Sequence, residues 1–239
     1  MLDELLAQTK QLSDPAKAKF LAGFFKTGVG QYGEGDVFYG LTVPVSRKIA
    51  KKYTALPFED VALLLQSKVH EQRLIALLIL VEKYRTAESI EKKEIFNFYL
   101  AHTNHINNWD LVDLSAPKIV GEYLFGCQTQ KQAEILLSKL AHSKNLWEKR
   151  IAMLATFAYI LHGEAALSLK IADILLLDNY DLIQKAVGWM LREVGKRISS
   201  DIEEDFLKSR YKTMPRTALR YAIERFPEAK RKQYLLGLA

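Results

Sequence analysis

The 239-residue sequence has little cysteine, proline or glycine and no long hydrophobic run. Its single cysteine, Cys127, excludes a disulfide within the chain, and nothing in the cysteine usage points to secretion. The longest apolar run, residues 74–81, is too short to span a bilayer. The N-terminal residues also lack the basic and then apolar layout of a signal peptide. We therefore expect a cytoplasmic protein that does not enter a membrane.

Basic residues are in modest excess and are unevenly distributed along the chain. The net charge is +6, and residues 121–239 carry 19 Lys and Arg against 14 Asp and Glu, whereas residues 1–120 carry 15 against 14. An excess on one side suggests an anionic partner there. Many solvated helical proteins carry such an excess without an anionic partner, so the charge alone does not identify a function.

Nearly every segment shows helical periodicity, and no convincing alternating strand is present. Prolines and capping residues mark several helix starts, for example Ser13, Asp14 and Pro15. The fold class predicted is all-α, with one long loop at 26–43. The helices are expected near 2–12, 15–25, 44–53, 57–66, 70–84, 88–101, 107–125 with a break near Pro117, 129–141, 146–161, 164–177, 180–197, 200–208, 215–225 and 228–237.

A weak repeat runs through these helices. In each copy a polar or charged residue near the start of a second helix is followed by small and apolar residues. The aligned positions, at spacings of 40, 37, 35 and 31 residues, are Arg73, Asp113, Arg150, Lys185 and Arg216. Helix-pair repeats of this length predict a HEAT-like α-α superhelix, a single repeat domain over residues 1–239. Equivalent positions of such a solenoid line its concave surface, which we therefore expect to be basic.

Asp113 is the exception in that row. Cations along a concave surface suit a phosphate backbone, whereas a carboxylate among them weakens anion binding and needs another reason. Trp109 lies four residues before Asp113, on the same helix face, and Trp189 lies four residues after Lys185. Either tryptophan could be a core residue, and Asp113 could be a structural partner of Arg73 or Arg150.

Three other motifs have ordinary readings. Residues 28–33 match the dinucleotide fingerprint but follow no strand, so they predict an interhelix loop, or one that orders over a ligand with Tyr32 at its tip. Arg47 and Lys51 share a helix face and belong either to a solvated surface or to a DNA contact. His102 and His105 have helical metal spacing without a third ligand, so no metal site is expected.

The residues resemble the DNA alkylation repair family of HEAT-like DNA glycosylases, the AlkD-like proteins. The resemblance covers most of the chain, and its markers stand at 38–44, 109–113, 146–150 and 185–193. It implies that Asp113 is the catalytic carboxylate, with Trp109 and Trp189 flanking the sugar of the lesion nucleotide. It also implies that Arg150 holds a backbone phosphate. The further DNA-binding candidates are Lys185, Arg192, Arg47 and Lys51.

The activity that the resemblance implies is excision of N3- and N7-alkylated purines from duplex DNA. This chemistry requires no metal or cofactor, and nothing in the sequence demands more than a monomer. An alkylated purine is cationic and leaves readily, so a carboxylate needs only to stabilise the oxocarbenium sugar. No lysine is poised as a Schiff-base nucleophile, which predicts a monofunctional enzyme. The alternatives are a binder of damaged or branched DNA without chemistry, against which Asp113 argues, and a protein-interaction scaffold.

Overall fold

The computed structural model describes the whole chain from Met1 to Ala239 and confirms the all-α class. Its only β-type pairing is an isolated parallel bridge between Val37 and Val69. None of its helices has the length and apolar character needed to cross a membrane. Two compact units, Met1–Ser115 and Ala116–Ala239, divide the chain. The single repeat domain and the concave basic surface therefore stay predictions.

The first unit is built around one buried helix. All residues of α5 from His70 to Leu80 are buried, and α3, α4 and α6 pack against this helix. The segment before α3 is fixed by the carboxylate of Glu71, which accepts backbone N–H bonds from Tyr39, Gly40 and Leu41 at 2.7–3.1 Å. The helices of this unit are α1 (Leu2–Gln11), α2 (Pro15–Phe24), α3 (Val43–Lys52), α4 (Phe58–Leu65), α5 (His70–Thr86), α6 (Ser89–Ala101) and most of α7 (Trp109–Ala116).

The second unit is built around α10 and α12, which also contact each other. Glycine allows the close approach of α12 to α14, because a Cβ at Gly188 would lie 2.3 Å from the carbonyl oxygen of Ala218. Gly188 lies three residues after the aligned position Lys185, so a small residue there lets the two helices approach closely. The helices of this unit are α8 (Glu122–Cys127), α9 (Gln130–Ala141), α10 (Leu146–Leu161), α11 (Ala166–Leu175), α12 (Asp181–Arg197), α13 (Ser200–Lys208), α14 (Arg216–Ala222) and α15 (Glu228–Leu236).

The irregularity expected near Pro117 is a π-helical turn. It spans Pro117–Gly121 and joins α7 to α8 without an intervening loop. Proline cannot donate the usual helical hydrogen bond, and a π-turn accommodates that loss without ending the helix. The other helix bounds agree with the predicted ones to within two residues, apart from the last turn before Phe226, which is a 3₁₀-helix.

Candidate active site

Helix α7 begins at Trp109, and Asn108 caps it. The carbonyl oxygen of Asn108 accepts the backbone N–H of Val112 at 3.2 Å, and its side-chain oxygen accepts that of Trp109 at 2.8 Å. Asn108 is fully buried, so the start of α7 is held inside the first unit. Asp110, in the first turn, also suits the helix dipole. The helix therefore starts two residues after the predicted start at residue 107.

The Trp109 ring packs on two phenylalanines from the end of α2. It is stacked on Phe25, with centroids 5.2 Å apart and planes at 16°, and it meets Phe24 edge-on at 5.9 Å. Phe25 is buried and continues the stack to His70 at 4.7 Å and to Phe38 at 5.2 Å. Trp109 itself is only half-buried. Its ring is therefore held from behind by aromatic packing while part of it stays accessible.

Asp113 lies one turn further along α7, also half-buried. Four residues separate it from Trp109, so both side chains lie on one side of the helix. Burial raises the pKa of Tyr99, a hydrogen bond with Ser115 opposes this, and the negative charge of Asp113 raises it further. That tyrosine is fully buried in α6, with its hydroxyl 2.9 Å from the Ser115 hydroxyl. Tyr99 therefore anchors the part of α7 that carries Asp113.

A buried relay of charged groups anchors the start of α7 from the other side. His70 Nε2 lies 2.9 Å from the Asp110 carboxylate, and His70 Nδ1 lies 3.3 Å from the Asp36 carboxylate. Asp36 also pairs with Arg73 at 2.7 Å. The side chains of all four residues are at most 9% exposed. Opposite charges in such a buried place interact strongly.

The relay sets the protonation of its members. Burial alone would lower the pKa of His70, but hydrogen bonds to Asp110 and Asp36 raise it to about 8. Burial would raise the pKa of Asp36, but hydrogen bonding to His70 and the charge of Arg73 lower it below its usual value. At neutral pH His70 is therefore mostly an imidazolium, hydrogen-bonded to both Asp110 and Asp36.

The expectation that Arg73 lines a DNA-facing row is wrong. Its side chain is 4% exposed, and besides Asp36 it contacts the carbonyl oxygen of Ser67, to which Nη1 donates at 2.8 Å. The reason is the loop before α3, which places Asp36 over the start of α5. The Arg73 guanidinium therefore holds the loop and the helix together and is not available to bind a phosphate.

In the second unit, Trp189 belongs to a cluster on α12 and α10. Its indole Nε1 donates to Glu193 at 3.3 Å, and its ring lies 6.3 Å from that of Phe157. Arg197 donates to the other oxygen of Glu193 at 2.6 Å and lies over the Phe157 ring at 5.3 Å. Burial opposes the ionisation of Glu193, but the Arg197 hydrogen bond and the charge of Lys196 lower its pKa. Trp189 is half-buried, as Trp109 is.

The cations predicted to bind DNA differ in their surroundings. Arg150 is buried and donates to the Leu182 carbonyl oxygen at 2.5 Å, so it links α10 to the start of α12. Lys185 pairs with Asp181 at 2.6 Å, and Arg192 pairs with Glu224. Their roles toward DNA stay predictions. Residues 116–239 carry 20 Lys and Arg against 14 Asp and Glu, so the entire net charge lies in this unit.

The most accessible of the predicted DNA contacts are Arg47 and Lys51, two of the four basic residues of α3. Arg47 and Lys51 are exposed, one turn apart, in a helix without acidic residues in its first turn. No group of three or more His, Cys, Asp or Glu side chains is arranged to hold a metal ion. The histidine pair at 102 and 105 instead packs in part on an aromatic ring, His102 lying 4.1 Å from Phe98.

Sequence reasoning missed the groups that hold Trp109 in place. Phe24 and Phe25 follow the apolar pattern of α2, and only their position before the loop distinguishes them. His70 directly precedes Glu71 at the start of α5, and a histidine at a buried helix start is the signal that could have pointed to a charge partner. Asp110 suits the helix dipole and also binds His70, and only the first of these roles follows from the local sequence.

Comparisons with known proteins agree on the fold and the family. The family model described as DNA alkylation repair enzyme matches residues 5–226. A predicted DNA alkylation repair enzyme from Enterococcus faecalis is similar in structure, with a TM-score of 0.69 and 17% identity over 90% of this chain and 97% of that one. AlkD2 from Streptococcus mutans gives a TM-score of 0.57 and 18% identity over 89% and 99%.

A third structure, smu.31 from Streptococcus mutans UA159, gives a TM-score of 0.55 and 18% identity over 95% of this chain and 99% of that one. At these identities the structures show the shared helical fold. The comparison with curated proteins gave no significant match. Because the family model spans nearly the whole sequence, the chain belongs to the DNA alkylation repair enzyme family.

Proposed function

We propose that the protein is a monofunctional DNA glycosylase that hydrolyses the N-glycosidic bond of N3- and N7-alkylated purines in duplex DNA. The observation that carries the proposal is the pairing of Trp109 and Asp113 on one face of α7, both half-buried and both held by buried contacts behind them. Membership of a DNA alkylation repair family supplies the substrate class. The place of action is then proposed to be the cytoplasm.

The reaction needs stabilisation of one developing charge. As the bond between C1′ and the purine nitrogen breaks, its electron pair goes to the purine and cancels the positive charge of the alkylated base. The sugar becomes an oxocarbenium cation, which water attacks at C1′, and the proton lost from that water goes to solvent. A carboxylate placed beside C1′ opposes the cationic charge and orients the water. Asp113 takes this role.

Aromatic faces assist the same charge. An indole ring attracts a cation over its face, and it does so more strongly where water is excluded. Trp109 is fixed by Phe25 and Phe24, so its face needs little reorganisation when the sugar becomes cationic. Trp189 is proposed to contact the sugar of the lesion nucleotide, as the family resemblance implies. Its indole is oriented by the hydrogen bond to Glu193.

The basic residues are proposed to bind the DNA backbone. The excess of cations in residues 116–239 and the exposed pair Arg47 and Lys51 support contacts with phosphates. Arg150 is proposed to contribute from α10, as the family resemblance implies, and Lys185 and Arg192 are proposed to contribute from α12. The duplex is thereby gripped through its backbone, which leaves the sequence of bases unread.

Release of 7-methylguanine from methylated duplex DNA tests the proposal. Wild-type protein releases the base, and Asp113→Asn lowers the rate by about 100-fold or more, because a preorganised charge is lost. Asp205→Asn, a change at an exposed acidic residue of α13, leaves the rate unchanged. Duplex affinity stays within about twofold for both variants. Excision by Asp113→Asn at the wild-type rate contradicts the assignment of Asp113.

The alternative function is binding of damaged or branched DNA without chemistry. The same assay separates it, because such a protein binds the duplex in a salt-dependent manner and releases no base. Absence of base release by the wild-type protein, with tight binding to a branched duplex, would favour this alternative.

A further inference from the structure

Two phenylalanines of α2 lie largely in solvent beside the candidate active site. Phe20 is 70% exposed and Phe24 is 53% exposed. Their rings are stacked, with centroids 6.3 Å apart and planes at 12°, and Phe24 touches Trp109. Single exposed apolar residues are ordinary, but an exposed stacked pair continuous with a functional residue marks an interaction site. We call Phe20 and Phe24 the aromatic platform.

The rings of the aromatic platform are not part of the protein core. Helix α2 has no buried residue, so neither ring packs into the first unit as Phe25 does. Phe24 and Phe25 are neighbours that point different ways, and their rings meet at 88°. Phe25 supports Trp109 from inside the unit, whereas Phe24 extends the aromatic surface of Trp109 outward to Phe20.

Charges around the aromatic platform favour an anionic occupant. Helix α2 contains Lys17 and Lys19 and no acidic residue, and Lys26 follows its end. All three lysines are exposed, and only Lys17 is engaged, in an ion pair with Asp14 at 2.9 Å. Aromatic faces on which bases stack, next to cations that meet the backbone, are the combination by which proteins bind unpaired nucleotides.

We propose that the aromatic platform stacks against an unpaired base of the bound DNA, on the outward side of Trp109. This inference rests on the proposed function, because it assumes that DNA binds at Trp109. The base edges stay unread, since a ring face accepts any base. The platform stabilises a nucleotide that has left the base stack, and it thereby favours duplexes that open easily at the damaged position.

Binding of labelled duplexes measured by fluorescence anisotropy tests the proposal. One probe is fully paired, and the other carries a single-base bulge in the same sequence. The double variant Phe20→Leu/Phe24→Leu keeps the apolar volume and removes the ring faces. It should lose about tenfold in affinity for the bulged probe and less than about twofold for the paired one. Phe20→Tyr/Phe24→Tyr should keep the wild-type preference for the bulge.

Three outcomes would overturn the platform. These are unchanged affinity of the leucine variant for the bulged probe, an equal loss on both probes, and concentration-dependent self-association of the wild type that the leucine variant abolishes. The last outcome would assign the surface to a second copy of the chain. Thermal unfolding of each variant confirms that it folds, which the exposure of both rings leads us to expect.

Base release distinguishes failure of the platform from failure of the proposed function. If the wild type prefers the bulged probe through these rings but releases no 7-methylguanine, the glycosylase assignment fails and the platform stands. If the wild type releases the base and the leucine variant binds both probes as the wild type does, the platform fails alone.

Discussion

His70 Nε2 lies 2.9 Å from the carboxylate of Asp110 and so joins the start of α5 to the first turn of α7. Asp110 directly follows Trp109, and both members of the pair are nearly excluded from solvent, with side chains 2% and 9% exposed. The orientation of Trp109 and Asp113 therefore depends on a charge pair that is buried behind them. Small displacements of catalytic groups cost large factors in rate, so this anchoring bears on function.

The charge on His70 makes stability depend on pH. Its pKa is raised from 6.5 to about 8 in the folded protein, so the stabilisation is fully present below about pH 6.5 and is lost as the pH rises through 8. The difference corresponds to about 2 kcal/mol. We expect His70→Gln to destabilise the protein by about that much more at pH 6 than at pH 9, as measured by urea unfolding.

Charged groups around His70 define the control for this measurement. Asp36, Asp110 and Arg73 are the charged groups that face the imidazole. His142→Gln, at an exposed histidine after α9, should show no such pH-dependent difference. Equal destabilisation by His70→Gln at both pH values would mean that the imidazole acts by packing on Phe25 and Phe38, without a charge.

Glu203 should also make stability fall with pH, in the second unit. Burial raises its pKa to about 8, the charge of Glu204 adds to this, and one of its oxygens has no hydrogen-bond partner. The folded protein keeps a proton that the unfolded chain loses above about pH 4.5, so stability declines from there toward pH 8. We expect the free energy of unfolding of Glu203→Gln, relative to that of the wild type, to increase by at least about 1 kcal/mol as the pH rises from 5 to 8.5. A stability difference between variant and wild type that stays constant from pH 5 to 8.5 would refute this prediction.

Much of the fold follows from the sequence because helical periodicity is local. The capped start at Asn108 and the irregular turn at Pro117 each depend on neighbours a few residues away, and both were predictable. The loop at 26–43 was harder. Its Asp36 pairs with Arg73 on α5, a contact that the local sequence of the loop does not indicate. No periodicity records a contact between residues 37 positions apart.

In the candidate site, too, some residues could be identified from local sequence and others could not. Trp109 and Asp113 could be identified because their spacing places them on one helix face. The partners that hold them, Phe25 and His70, come from other helices and leave no pattern in the sequence. Arg73 shows the opposite error, since a repeat register assigns equivalent positions but does not determine which of them a loop will cover.

Close packing of α12 on α14 predicts that a single methyl group is harmful. A Cβ at Gly188 would lie 2.3 Å from the Ala218 carbonyl oxygen and 2.5 Å from Tyr221 Cβ. Gly188→Ala should therefore destabilise the protein by about 1–3 kcal/mol in urea unfolding. Gly126→Ala is the matched control, because nothing lies within 4 Å of its Cβ and alanine favours the helix. Equal stability of the two variants would show that α12 and α14 can separate at low cost.

Exposed cations on α3 should contribute to DNA affinity through counterion release. Affinity for DNA falls as salt rises, and each phosphate contact makes the negative slope of log affinity against log salt concentration steeper by about 0.9. Arg47→Ala/Lys51→Ala should therefore make that slope shallower by about 1–2. Affinity should fall by a similar factor for paired and bulged duplexes, because phosphate contacts carry no base information. Lys93→Ala, at an exposed lysine of α6, is the control and should change neither quantity. An unchanged slope in the double variant would assign Arg47 and Lys51 to a solvated face.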